Sequence, residues 1–192
     1  MFVSLLHPRG KERPIMSNGD MAMEMPKRFW VVIVVLGACA RLAPHPWNFT
    51  PMMAIGLFAG SHARSVRGGV LATLLALASS DVVLGFYSGF WYVYAAALIS
   101  VFLGGPIRDR RGAGVIGCAA LASSLSFFFI TNFMVWATGT MYPHTLAGLW
   151  TCFLAGLPFY RNQILGDAFY TVAIFGGYAL MQRLSEPTRE AA

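Results

Sequence analysis

Seven apolar runs separated by short polar or basic connections fill residues 29–184, and no fold wetted on every side can bury them all. They are Phe29–Ala43, Met52–Ala63, Val70–Tyr87, Phe90–Gly105, Gly114–Ala137, Leu146–Phe159 and Ile164–Leu184. Charged residues make up only 11% of the chain, against about 25% in soluble domains. Mean hydropathy is +0.60. Too few charges remain to cover a globule, so lipid must solvate much of the surface. A spanning helix needs about 20 apolar residues. The expected fold is therefore an all-α integral membrane protein with one helical domain over residues 29–184. Residues 1–28 form a polar tail, either disordered or preceding the true start, given Met1, Met16, Met21, Met23 and Met25. Residues 185–192 form a cytoplasmic tail.

Net charge is +6, but the cations lie in clusters between apolar runs. They set topology and do not suggest a nucleic-acid partner. Lys27/Arg28, Arg64/Arg67, Arg108/Arg110/Arg111 and Arg183/Arg189 fall at alternate connections. Placing them in the cytoplasm of a bacterial inner membrane puts both termini inside and requires an even number of crossings. The opposite connections carry only Arg41 and Arg161. Three runs lie between the Arg108 cluster and Arg183, so one of them must not cross. Leu146–Phe159 is short and ends at Pro158, which makes it the expected outer half-helix or lid between the last two of six spans. Ala38-Cys39-Ala40 resembles a cleavage site and Leu36–Cys39 a lipoprotein box. The runs that follow favour an uncleaved first helix instead. Gly56-x-x-x-Gly60 and Ala119-x-x-x-Ser123 suit close helix packing.

Ionisable residues at membrane depth are costly and mark function. Asp81, Asn132 and Asp167, with Tyr170, come from three helices at a similar outer depth. The first outer loop, Arg41–Pro51, is stiffened by three prolines and carries His45, Trp47, Asn48 and Phe49. The last outer region adds Trp136, Tyr142, His144, Trp150, Tyr160, Arg161 and Asn162. Together these describe an outward-facing cavity that collects a small solute. Asp81, Asn132 and Asp167 would hydrogen-bond it, Trp47, Phe49 and Tyr170 would stack on it, and His45 is the candidate metal ligand. The structural alternatives are specific. Tryptophan and tyrosine form interfacial belts, either aspartate can pair with Arg41 or Arg161, and loop histidines usually face solvent. Asn48 can cap its loop.

Enzymatic readings find little support. Ile164-Leu165-Gly166-Asp167 holds only half of an intramembrane protease GxGD motif. Of the four histidines only His62, at the end of the second run, falls within an expected span, which leaves no bis-histidine haem site. There is no P-loop. The cysteines Cys39, Cys118 and Cys152 form no CxxC pair. No enzyme activity and no cofactor are expected.

Five segments carry a resemblance: Pro44–Pro51 (PHPWNFTP), Ser80–Gly85 (SDVVLG), Thr131-Asn132-Phe133, Tyr142-Pro143-x-Thr145 and Phe159-Tyr160-Arg161-Asn162-x-x-x-Gly166-Asp167. Over residues 30–182 the chain resembles an uncharacterised family of small bacterial membrane proteins. That family is similar to the substrate-binding S components of energy-coupling factor (ECF) vitamin transporters, with solitary BtuM-type cobalamin transporters as nearest functional relatives. The resemblance implies an S-component-like bundle of six helices with solute held under loops one, three and five. It also implies an energising module as a possible partner. Val31–Ala40 lacks the Ala-x-x-x-Ala pair with which many S components dock, which favours a solitary protein or another partner surface. The cobalt-ligating cysteine of the BtuM type has no counterpart near Asp81. The alternative class is an accessory membrane protein whose buried polar groups bind one another.

Overall fold

The computed structural model describes residue 25, residues 27–110 and residues 112–185. The polar tail over 1–24, Arg111 and the C-terminal tail with Arg189 lie outside the described residues. Among those described, every regular element is helical. There are six helices: α1 (Lys27–Leu42), α2 (Met52–His62), α3 (Val66–Leu84), α4 (Phe90–Gly104, ending in a 3-10 turn Gly105–Ile107), α5 (Ala113–Thr138) and α6 (Leu146–Ser185). Four of them, α3, α4 with its turn, α5 and α6, are long and apolar enough to cross a membrane. Helix α1 has 16 residues and α2 only 11.

Helix α2 is the hub. All its residues from Met52 to Ser61 are buried. At 1.5 Å per residue it rises about 17 Å, well short of a ~30 Å hydrocarbon layer. Protein encloses it, so its ends need not reach the headgroups. The packing core joins Met52, Met53 and Ile55 of α2 to Ala76 and Leu77 of α3 and Ala97 of α4. Ile33 and Val34 of α1, Phe127 of α5 and Ile174 of α6 close around it.

Small residues set the closest approach, between α2 and α4. A Cβ on Gly60 would run into the backbone carbonyl of Val101, and one on Gly104 into that of Leu57. Gly56 faces Ser100 in the same seam. The GxxxG spacing is thus used inside the molecule. Helix α2 ends where Arg108 donates to the carbonyls of Gly60 (3.2 Å) and Ala63 (2.9 Å). A cation there satisfies the open C-terminal carbonyls and opposes the negative end of the helix dipole.

One expectation is corrected. Leu146–Phe159 is no separate half-helix, because it is the first part of α6, which runs unbroken for 40 residues. Pro158 lies inside the helix. Proline in a helix interior costs about 3 kcal/mol, and here α5 offsets that loss by packing along the same stretch. Ser124 meets Gln163, Phe128 meets Tyr160, and Asn132 meets Cys152. Arg161 and Asn162 therefore sit within a helix and not in an outer loop. Phe29 of α1 and Tyr178 of α6 pack ring to ring at 5.8 Å. Both ends of the described chain lie at the end of the bundle that carries Arg28, Arg64 and Arg108, hereafter the basic end. At 40 residues, α6 is about 60 Å long, which exceeds a bilayer of ~40–45 Å with its headgroups.

Candidate functional site

The aspartates singled out in the sequence sit in different surroundings. Asp81, in the last turn of α3, is fully buried. Its Oδ1 forms an ion pair with Arg41 of α1 at 2.6 Å, and Oδ2 accepts from the Tyr94 hydroxyl of α4 at 2.7 Å. Oδ1 takes no well-angled hydrogen bond, so the pair is held by charge and proximity. Arg41 also donates to Ser80 Oγ (2.7 Å) and to the Leu77 carbonyl (3.3 Å). The guanidinium thus bolts α1 to α3 and closes the carboxylate. Tyr87, in the loop from α3 to α4, faces the same pair. Burial pushes its phenol above the usual value, and the Arg41 charge opposes that shift.

Asp167 has no such partner. It lies on α6, buried and 4% exposed, and among the described residues no ion pair reaches it. Its Oδ2 has no hydrogen-bond partner, though Ser124 and Gln163 side chains lie beside the carboxyl. The Gln163 amide donates to the Ser124 carbonyl (2.8 Å) and hydroxyl (3.1 Å). Tyr160 reaches the same serine. Thr171, one turn further along α6, is buried with an unpartnered hydroxyl. Tyr160, Gln163, Asp167 and Thr171 share one face by helical spacing, which α5 meets with Ser124. Directly after Thr171 the helix widens to a π turn over Val172–Gly176.

The first loop packs beside this seam. The Phe49 backbone lies against Gly166, close enough that a Cβ there would sit 3.0 Å from its Cα. The Phe49 ring packs on Phe169 (5.9 Å) and Tyr170 (5.6 Å). Phe49 is therefore a neighbour of Tyr170 and of Gly166, the residue before Asp167. A cleft of about 450 Å³ opens between α1 and α6, lined by Leu36, Gly37, Tyr170, Ile174 and others, with Pro51 and Ile55 of α2 as part of its wall.

The remaining candidates are scattered. Asn132 donates to the Phe128 carbonyl of its own helix and packs on Gly156, some way along the seam from Asp167. Trp136 donates to the Pro143 carbonyl at 2.9 Å and meets His144 edge-on, which pins the α5–α6 turn where Tyr142 is half-buried. Arg161 is exposed and Asn162 half-buried. Trp47 is 78% exposed. Asn48 has φ +63°, a left-handed turn position that asparagine tolerates. His45 Nδ1 bonds the Ala43 carbonyl at 2.6 Å. Among the described residues no three His, Cys, Asp or Glu side chains converge as metal ligands. Ser124, Gln163 and Thr171 were missed in the sequence. For Gln163 and Thr171 the signal was the spacing of positions 160, 163, 167 and 171 along one apolar helix.

A bundle of apolar helices around a buried central helix, four of them long and apolar enough to cross a membrane, is compatible with the class of helical membrane proteins. Within it, this chain belongs to a family of unknown function, DUF6580, whose model matches residues 23–189. No curated protein and no solved structure matches the chain.

Proposed function

We propose that the protein is a small-solute uptake protein of the S-component type, seated in a bacterial inner membrane. Six crossings would place the basic end in the cytoplasm. The observation that carries this reading is Asp167, a buried carboxylate with no ion pair among the described residues and with Oδ2 unpartnered. Burying a charge without a partner is costly, and a polar solute group would offset that cost. Phe49 and Tyr170 would supply aromatic walls for a vitamin-like, partly polar compound. No Ala-x-x-x-Ala pair lies on α1, which favours a solitary protein or a different surface for any energising module. Mass spectrometry of small molecules co-purified with the protein is the first test. Asp167→Asn is expected to leave folded protein and to weaken solute binding roughly tenfold to a hundredfold, from loss of a charged hydrogen bond of about 1.5–3 kcal/mol. Lost stability with unchanged affinity would instead support the accessory-protein reading. The closed Asp81–Arg41 pair favours that second reading for its own half of the bundle.

The topology has its own test. In a background without Cys39, Cys118 and Cys152, Ser88→Cys should react with impermeant thiol reagents from outside. Val66→Cys, at a half-exposed position, should react only from the cytoplasm. The reverse labelling would invert the proposed orientation.

A further inference from the structure

The seam of α5 and α6 holds one formal charge and a surplus of oxygen atoms. Asp167 Oδ2 and Thr171 Oγ1 are unpartnered, and their residues are 4% and 7% exposed. Ser123, the neighbour of Ser124 on α5, also has an unpartnered hydroxyl and is 2% exposed. Three of the four unpartnered buried side-chain atoms among the described residues thus belong to Ser123, Asp167 and Thr171. The fourth is Asp81 Oδ1, which has Arg41. Buried polar groups in stable proteins almost always have partners. Asp167 and Thr171, one turn apart on α6, leave two buried oxygens unpartnered on one helix face, and a ligand that satisfies both oxygens and the one negative charge would supply the missing partners.

The donor chemistry narrows the choice. Every donor is a hard oxygen: a carboxylate, hydroxyls and backbone carbonyls. Among the described residues no three His, Cys, Asp or Glu side chains converge, so this seam does not offer the ligand patterns of zinc and other transition metals. Calcium sites gather several carboxylates, and here there is one. A single positive charge neutralises Asp167. The backbone supports the same choice. The N–H of Val172 is shared between the carbonyls of Ala168 and Phe169, and that of Gly177 between those of Ala173 and Ile174. The helix is wound as a π turn over Val172–Gly176, directly after Thr171. Such π turns are frequent at functional sites.

We infer that this seam binds one desolvated alkali cation, Na⁺ or a close relative, through Asp167 with the hydroxyls of Ser124 and Thr171. The inference rests on the uptake reading only in giving it a coupling ion, and the two can fail separately.

The test uses the full chain in detergent or nanodiscs. Thermal stability is measured in NaCl, LiCl, KCl and choline chloride at constant ionic strength. A cation that binds only the folded state raises Tm with its concentration. At about a hundred times Kd the expected rise is roughly 5–10 °C. Choline should give no rise. Asp167→Asn should abolish the response, and Thr171→Val should shift it to at least tenfold higher concentration, with each variant folded in choline. If Asp167→Asn does not fold, Thr171→Val and the wild-type titration still decide. Equal Tm in all four salts, or a full response in a folded Asp167→Asn, overturns the proposal. Solute binding without any alkali dependence overturns it while sparing the uptake reading. An alkali response in a protein that binds no solute does the opposite.

Discussion

Arg41→Ala is expected to destabilise the protein by about 3–5 kcal/mol, because it leaves Asp81 as an uncompensated buried charge. The ion pair is 2.6 Å long, with the carboxylate fully buried and Arg41 12% exposed. Truncation also removes the hydrogen bonds from Arg41 to Ser80 and to the Leu77 carbonyl. Those contacts are the main polar link between α1 and α3, so α1 should loosen first. The stranded charge, and not the lost attraction, makes the single change severe. A double variant, Arg41→Met with Asp81→Leu, should therefore recover most of the loss, since apolar replacements of a buried pair are often neutral. Tyr94 would lose its acceptor in that variant, so recovery should be incomplete. Chemical or thermal unfolding in detergent measures all three proteins. An Arg41→Ala protein as stable as wild type would show that the pair contributes nothing.

Gly60→Ala should cost about 2–3 kcal/mol, an overpacking penalty at the upper end of the usual range. The added methyl would meet the backbone of Val101, which cannot rotate aside. Helices α2 and α4 would have to separate, and the core around Met52, Ile55 and Ala97 would open with them. Gly56→Ala should cost less, because its nearest obstacle is the movable Ser100 side chain. Gly117→Ala on α5 is the control, since nothing lies within 4 Å of its Cβ position. There alanine is expected to be neutral or slightly stabilising through its better helix propensity. The same chemical change should thus have opposite signs at the two sites. If Gly60→Ala matched Gly117→Ala in stability, the close α2–α4 contact would not be what holds the pair together.

Much of the architecture was legible because period, length and charge are local properties. Phe90–Gly105 and Gly114–Ala137 were apolar runs in the sequence and became α4 and α5 with little change. Gly56 and Gly60 announced a close helix contact, and the partner proved to be α4. The break expected between Phe159 and Ile164 did not form. Pro158 and the polar Tyr160–Gln163 stretch carry the local marks of a helix boundary. What kept the helix going is non-local: α5 lies along α6 and gives Tyr160 and Gln163 their partner in Ser124. Reading that stretch as a loop also hid the polar stripe, because its periodicity shows only across the supposed break.

By itself the sequence determined the solvent. Apolar runs with clustered cations cannot be satisfied in water, and that holds whatever the packing. It also put Asp81 and Asp167 inside apolar runs, where a buried charge needs compensation. Only the tertiary structure decided which of them has a charge partner. Arg41 and Asp81 are separated by 40 positions in sequence, and they meet because α1 packs along α3. Arg161 is far closer to Asp167 in sequence, yet it projects from α6 into the exposed surface. Charge pairing depends on distance through space and on the local dielectric, and neither quantity is defined until the helices have packed.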